Sequence, residues 1–512
     1  MPALLLRMSG FLGIPKTLLL RRVCLVIAVA MLQSATAGAA PIYVATTGAD
    51  ANPGTLLLPL RNIQTAIALA QPGDEIVVAD GTYHERIGSV RGGTSDSERI
   101  TVRAANPRNA VVTNPGRVLD VVHPYLNFDG LIFDGQSGSD DIVRISVGGD
   151  HMVFDNVEVR NGRRDGIDMG SNATTVGSGF NFLQGVRIQN SSVHDVLWAD
   201  SNGVRQDAHG IVAGGVQDFV IRDTEVHYVS GDAFQLQDGG WDNVLLESVR
   251  FWNGPLPEAR GGFAAGINPG EDGIDTKQDD NIPIRGRLTV RDSEFFGWRG
   301  SAPGIWSAMN LKEQIEAIID GNTFYGNDVG IRLRGPTPLD AGAEVTVVNN
   351  VFYDHLHPGA FQNGSGAALS FDYLVENLKV WNNTFGADNA RFFAERSGGP
   401  GSGLEILNNL FLGASTPTRA SDSSNLAVAA DSFVSALGGD YHLAPGSPAI
   451  DAGLPLVVHD RDGIIRPQGG GLDIGAFEAA AVGVPEPSTF ALSLLALAVL
   501  GCMGRCKWIR TV

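Results

Sequence analysis

The chain has 512 residues, 37 basic against 56 acidic side chains and a net charge of −19, with 65 glycines and only 18% charged residues. So acidic a surface repels nucleic acid and anionic membranes, which excludes them as partners. Abundant glycine with few charges favours short strands joined by tight turns over a helical protein, and a solenoid can reach this length without one large globular core.

Residues 1–39 read as a secretory signal peptide. Arg7, Lys16, Arg21 and Arg22 precede the apolar run Val23 to Leu32, and the small residues Ala35-Thr36-Ala37-Gly38-Ala39 follow, with cleavage after Ala37 or Ala39. The three cysteines, Cys24, Cys502 and Cys506, all lie in terminal segments, so no disulfide is available to the body at 40–480.

A helix is expected over residues 61–70, where Ile63, Ile67 and Ala70 share one face and Pro72-Gly73 stops the run. Laid across an open coil, it would cover an unpaired strand edge. The surrounding segment 42–87, with Pro72-Gly73-Asp74 and Gly81-Thr82-Tyr83, resembles the N-terminal cap of the pectate-lyase-like right-handed β-helix proteins.

From about residue 100 to 435 two strand phrases alternate. One is polar-Gly-Ile or its equivalent: Asp165-Gly166-Ile167-Asp168, His209-Gly210-Ile211, Asp232-Ala233-Phe234-Gln235, Asp272-Gly273-Ile274-Asp275, Pro303-Gly304-Ile305-Trp306 and Val329-Gly330-Ile331-Arg332. The other closes on Asn, Asp or Gly, as in Phe154-Asp155-Asn156-Val157 and Val347-Val348-Asn349-Asn350. Two such phrases in each period of about 25 residues are the sequence form of a parallel β-helix. Taken with the resemblance of the N-terminal cap, the fold class expected is all-β, a right-handed single-stranded parallel β-helix of the pectin-lyase-like kind with an N-terminal capping helix. Longer loops are expected at 170–185, 194–208, 253–271 and 307–316.

Stacking these phrases places Asp165, His209, Asp232 and Asp272 in one column. If Ile274 points inward, Asp275 and Lys277 point outward, on one file with Asp168, Gln235, Gln237, Arg332 and Arg334. Glu271, Asp272 and Asp275, with Asp232 a coil away, are hard oxygen donors suited to Ca²⁺. Lys277 beside them is a candidate base, its proton affinity lowered by burial, by the metal or by Arg332, and His209 is an alternative base. Trp198, Trp241, Trp252, Trp298 and Trp306 fall in the same coils and could form a sugar-stacking platform or pack the loops.

The run Glu271-Asp272-Gly273-Ile274-Asp275 is similar to the acidic calcium cluster of one pectate lyase family, and Lys277 resembles the lysine of chondroitinase-B-like and alginate lyases. These resemblances imply a Ca²⁺-assisted lyase acting on a uronate-containing polysaccharide, with Lys277, His209, Arg332 and Arg334 catalytic and Asp232, Glu271, Asp272 and Asp275 holding the metal. Two other readings stand beside it: a non-catalytic exopolysaccharide-binding matrix protein, and a polygalacturonase-like hydrolase suggested by Asp165-Gly-Ile-Asp168 and His209-Gly. The hydrolases' paired-Asp coil is missing here.

Residues 440–478, with Ser447-Pro448-Ala449-Ile450-Asp451 and Asp473-Ile474-Gly475-Ala476-Phe477, resemble the tail of many bacterial β-helix proteins. Residues 484–512 combine Val484-Pro485-Glu486-Pro487, an apolar run and Arg505, Lys507 and Arg510. This order resembles the PEP-CTERM signal and implies an exosortase partner, removal of the tail, and a monomer at the surface or in the extracellular matrix of a Gram-negative bacterium. The leader carries four basic residues and no acid, and residues 485–512 a net +2, so the body between is near −25. An acidic substrate would then need a bridging cation.

Overall fold

The computed structural model describes residues 40–170, 182–237, 239–278, 284–300, 306–337, 341–356 and 366–480. The expected signal peptide and sorting segment lie outside them, as does Pro303-Gly304-Ile305.

Each coil contributes one strand to each of three parallel sheets, of 14, 13 and 11 strands. One coil runs Val216–Arg222 in the first sheet, Glu225–Val229 in the second and Phe234–Leu236 in the third; the next runs Trp241–Glu247, Arg250–Trp252 and Ile274–Thr276. Alternation does the sorting: in Arg287-Leu288-Thr289-Val290-Arg291 the valine and leucine are buried and the others face out. Inside, Phe295, Phe324, Phe352, Phe385 and Phe411 stack at centroid distances of 4.8–5.4 Å. Burying each such ring contributes about 1.5–3 kcal/mol.

The bend from first to second sheet explains the Asn/Asp/Gly punctuation. Asn156, Asn190, Asp223, Ser248, Asp292, Gly321, Asn349, Asn382 and Asn408 each hold a positive φ of 47–68° at this corner. Asn, Asp and Gly adopt that conformation with little strain, so they recur coil after coil. The residue after it points inward. In the later coils Asn322, Asn350, Asn383, Asn409 and Asn425 form a buried ladder, each amide Nδ2 donating at 3.0 Å to the next residue's Oδ1.

The capping helix spans Ile63–Leu69 and is the single α-helix among the described residues. It buries Ile63, Ala66 and Ile67, and the Glu85 carboxylate accepts from the free N–H groups of Ile63 and Gln64 at 2.9 and 3.0 Å. At the far end a hairpin, Phe433–Ser435 with Asp440–Leu443, precedes a strap that folds back along the rod. Tyr441 fills the slot that Gly386 leaves open and accepts from the Ala387 N–H at 2.8 Å. Arg466 and Glu478, both fully buried, pair at 3.1 Å within the strap.

The loop expected at 307–316 is instead two strands, Ser307–Leu311 and Ile315–Asp320. Ser307-Ala308-Met309-Asn310 takes the register expected of Pro303-Gly304-Ile305-Trp306, because Met309 aligns with Ile274 and Ile331. A small residue followed by an apolar one meets the packing need; glycine and isoleucine are not required.

Candidate functional site

Third-sheet strands present two sets of polar side chains in the middle coils. The first precedes each strand. Since Ile167, Ile211, Phe234, Ile274 and Met309 are in register, Asp165, His209, Asp232, Asp272 and Ser307 stack at one position per coil. All are buried.

This column is hydrogen-bonded along its length. Asp165 accepts the N–H of His209 at 3.2 Å, His209 Nδ1 that of Asp232 at 2.8 Å, and Asp232 that of Asp272 at 3.1 Å. Asp272 accepts both the N–H and the hydroxyl of Ser307, at 2.7 and 2.6 Å. Because Nδ1 of His209 accepts, its ring proton sits on Nε2. Burial lowers the affinity of His209 for a second proton to a pKa of about 4. Burial, then the neighbouring Asp275 and Glu271, raises Asp272 to about 7. Asp232 is pushed up by burial and by Asp275, Asp272 and Glu271, and Asp165 to about 6 by burial and Asp141.

The second set is the outward file. Asp168, Val212, Gln235, Asp275, Asn310 and Arg332 are in register, which gives Asp168, Gln235, Asp275 and Arg332 the shared face expected of them. Asp275 receives Asn310 Nδ2 at 2.9 Å and Lys312 Nζ at 2.9 Å from Oδ1, and Lys277 Nζ lies 3.6 Å from Oδ2. Lys277 also donates to Gln235 Oε1 at 2.8 Å and, at 34% side-chain exposure, is the more open of the two lysines. The Trp241 indole N–H holds the carbonyl of Lys277 at 2.8 Å.

The four carboxylates expected to share a calcium ion are distributed over three environments. Asp232 and Asp272 each spend an oxygen on the column, Asp275 meets the two lysines, and Glu271 pairs with Arg205 at 2.8 Å. Among the described residues, the carboxylates whose oxygens come together in a set of three within 4.8 Å are Asp141, Asp165 and Asp168. That set is matched by arginines: Arg117 and Arg164 on Asp141, Arg144 on Asp168.

Inserted loops wall the face. Leu197, Ala199, Leu256 and Phe263 form a small core of their own, and Arg260 ties the second loop down through Asp195 at 2.6 Å and the face of Tyr228 at 4.5 Å. Of the five tryptophans, Trp241 and Trp298 are fully buried and pack the core, with no face left for a sugar, while Trp198, Trp252 and Trp306 are half-buried. Trp252 belongs to a column that sequence reading missed, on the outer face of the second sheet. His194, His227, Trp252, Phe296, Tyr325 and Tyr353 stack in sequence at 4.6–5.7 Å with rings within 14° of parallel. Their faces are used on one another, and the column shows solvent only ring edges.

Residues 42–282 match the family described as the Pel9A-like, right handed beta helix region. The rod is a right-handed parallel β-helix. Solved structures similar to this β-helix include pectate lyase Pel9A, 18% identical with a TM-score of 0.46, covering 86% of this chain and 98% of that one. The GH136 lacto-N-biosidase from Eubacterium ramulus is 14% identical with a TM-score of 0.49, covering 72% and 68%. The alginate lyase from Paenibacillus sp. str. FPU-7 is 19% identical with a TM-score of 0.40, covering 68% and 95%. The β-helix is also 35% identical over 72 residues to the uncharacterized protein YwoF of Bacillus subtilis (strain 168), a stretch that spans 14% of this chain and 15% of that relative.

Proposed function

We propose that the β-helix is an exported, monomeric lyase that cleaves a uronate-containing polysaccharide by β-elimination on the outer face of its third sheet. The observation that carries this reading is the pair Lys277 and Lys312 on Asp275 within a walled stretch of one sheet, with Asp232, Glu271 and Asp272 on the same and the adjoining coil. Burial, then the neighbouring acids, raises the proton affinity of Asp232 and Asp272, an imbalance that a bound cation would relieve. Hard carboxylate oxygens suit Ca²⁺, and Asp232, Glu271, Asp272 and Asp275 are the residues that would hold it once drawn together from the three environments they occupy. When bound, the ion would neutralise the substrate carboxylate and acidify the C5 proton.

The chain's own groups do the rest. Lys277 takes the C5 proton as its Nζ points from the strand end fixed by Trp241; the C5–H electrons form the C4=C5 bond and the C4–O bond breaks. Lys312, held against Asp275, is placed to donate to the leaving oxygen, a role assigned to it from geometry. Arg332 orients the substrate carboxylate from two coils away. His209 is a positioning residue, its Nδ1 spent on the backbone of Asp232. The signal peptide and sorting tail deliver the body, through an exosortase, to the cell surface or matrix.

One observation favours a second reading, a non-catalytic exopolysaccharide-binding protein: the column bonds give Asp165, His209, Asp232 and Asp272 a structural task. The test is to incubate the purified body with pectate, alginate and other uronate polymers, with and without Ca²⁺, and follow the absorbance of the unsaturated product. Lys277→Ala is expected to abolish product with Ca²⁺ affinity nearly unchanged, and Asp272→Asn to weaken both. Wild-type turnover in Lys277→Ala but none in Lys312→Ala would move the base to Lys312. No product from any polymer at any Ca²⁺ concentration would leave the binding reading.

A further inference from the structure

Beyond Asp275 the same face changes sign. Arg332 follows Asn310 in the central file and Ser370 follows Arg332, while one file over Arg334, Asp372 and Arg396 are in register. Three guanidiniums thus gather around one carboxylate. Arg332 Nε donates to Asp372 Oδ2 at 2.8 Å, and Arg396 Nη1 stands 3.6 Å from the same oxygen. Ser370 Oγ donates to the other oxygen at 3.0 Å, and Asp372 is 1% exposed. Arg334 packs instead over the ring of Tyr373, at 5.3 Å.

Among the described residues the group carries two positive charges in excess, in a body that is near −25 as a whole. Glu395, the acid next to Arg396 in sequence, pairs with Arg419. Arg332 and Arg396 keep only 17% and 19% of their side-chain surface in water. Burial and the neighbouring Arg332 and Arg334 weaken the hold of Arg396 on its proton, against the pull of Asp372. Among the described residues Arg334 Nε and Arg396 Nη1 have no hydrogen-bond partner. Partly desolvated guanidiniums with unused donors are completed by a planar or tetrahedral oxyanion, which they grip with paired N–H bonds.

We propose that Arg332, Arg334 and Arg396 form an anion subsite that takes a carboxylate or sulfate of a polysaccharide lying along the third sheet, on the C-terminal side of Asp275. Coils lie about 4.8 Å apart, which puts Arg332 about 10 Å and Arg396 about 19 Å from Asp275. A chain held at Asp275 therefore reaches the arginines several sugar units further on, and the subsite favours long oligomers over short ones. This deepens, and rests on, the reading of the third sheet as a site for acidic polysaccharide.

The test titrates the full exported body with Ca²⁺ present and Lys277→Ala in every protein, the one with native arginines included, so that no turnover intervenes, with trigalacturonate, hexagalacturonate, a sulfated hexasaccharide and inorganic sulfate. The Arg334→Gln/Arg396→Gln variant is expected to lose at least tenfold in hexagalacturonate affinity and to bind the trimer within twofold of the protein with native arginines. Arg396→Lys should recover only part, since an ammonium cannot make the paired contact. Should the double variant fail to fold, Arg396→Gln alone is read by the same ratio. Stronger loss for the sulfated hexamer than for hexagalacturonate would assign the subsite to sulfate esters. Equal loss for trimer and hexamer, or none for either, overturns the subsite and leaves the polysaccharide reading standing. Sulfate binding that the double variant abolishes, with no uronate oligomer bound, keeps the subsite and overturns that reading; a protein with native arginines that binds none of the four overturns both.

Discussion

Two buried polar columns run along the rod, and they differ in what they leave unspent. At the corner of the first and second sheets, Asn322, Asn350, Asn383, Asn409 and Asn425 accept an N–H of the preceding coil and also donate, each Nδ2 reaching a backbone carbonyl and, in all but Asn425, the Oδ1 of the next rung. Every rung is neutral and complete. Before the third-sheet strands the polarity is opposite: Asp165, His209, Asp232 and Asp272 accept the following coil's N–H and return nothing, and each carboxylate holds a second oxygen among like charges. Stacking by itself therefore says little about function. Residue chemistry that exceeds the structural need is what marks the third sheet as the working face.

The largest effect is expected from breaking the neutral column. Asn383→Ala removes the acceptor for the N–H and the Nδ2 of Asn350, at 2.9 and 3.0 Å, and the donor to the Val347 carbonyl at 2.9 Å. Each buried group left unpaired costs about 1–3 kcal/mol, so the loss should be about 3 kcal/mol or more, read from the urea midpoint. A loss below about 1 kcal/mol would show that the ladder is not a support of the late coils.

The titratable column should respond in the opposite sense. Asp272→Asn keeps the oxygen that accepts from Ser307 while removing the ionisable one. In the folded protein Asp272 titrates near 7, and in the unfolded chain near about 3.9. Below about pH 4 it is protonated in both states and costs nothing. As pH rises through 7 the unfolded chain alone ionises first, and stability is lost by an amount on the order of a few kcal/mol. The variant should therefore be more stable than wild type at pH 8 and no more stable at pH 4. If Asp272 is a ligand, Ca²⁺ added at pH 8 should stabilise the wild type and close the gap.

The same contrast explains what could be read from the sequence. Strand phrases, left-handed corner residues and the capping helix obey local rules, so the coils, their register and the Asp165, His209, Asp232 and Asp272 column were legible. Ser307–Leu311 was missed because packing asks only for a small residue and an apolar one, and Pro303-Gly304-Ile305 just before it offers the more regular phrase. Lys312 and Arg396 were missed for a different reason. Each meets its acid on the neighbouring coil, tens of residues away, with no local motif to mark the pair. The aromatic column from His194 to Tyr353 escaped because loops of unequal length separate its members, and Trp241 and Trp298 looked like sugar platforms because sequence alone does not say which side of a strand end an indole takes.

The smallest and most discriminating change turns one titratable rung into a neutral one. His209→Asn offers Oδ1 where Nδ1 now accepts the Asp232 N–H, so the loss of stability at pH 8 should be about 1 kcal/mol, the cost of imperfect geometry and a smaller side chain. His209 titrates near 4 in the folded protein and near about 6.5 when unfolded. Above 6.5 both states are neutral and its support is fully present; as pH falls from 6.5 through 4 the unfolded chain takes up the proton first and that support is lost. The variant should therefore lose less stability than wild type between pH 7 and pH 4, and the two curves should draw together at the acid end. Because the folded imidazole is neutral throughout pH 5–9, an activity profile with an acid limb near 6.5 that vanished in His209→Asn would contradict its placement in the column and make it the base in place of Lys277. An unchanged profile with modestly lower turnover would instead mark it as the rung that sets the position of Asp232.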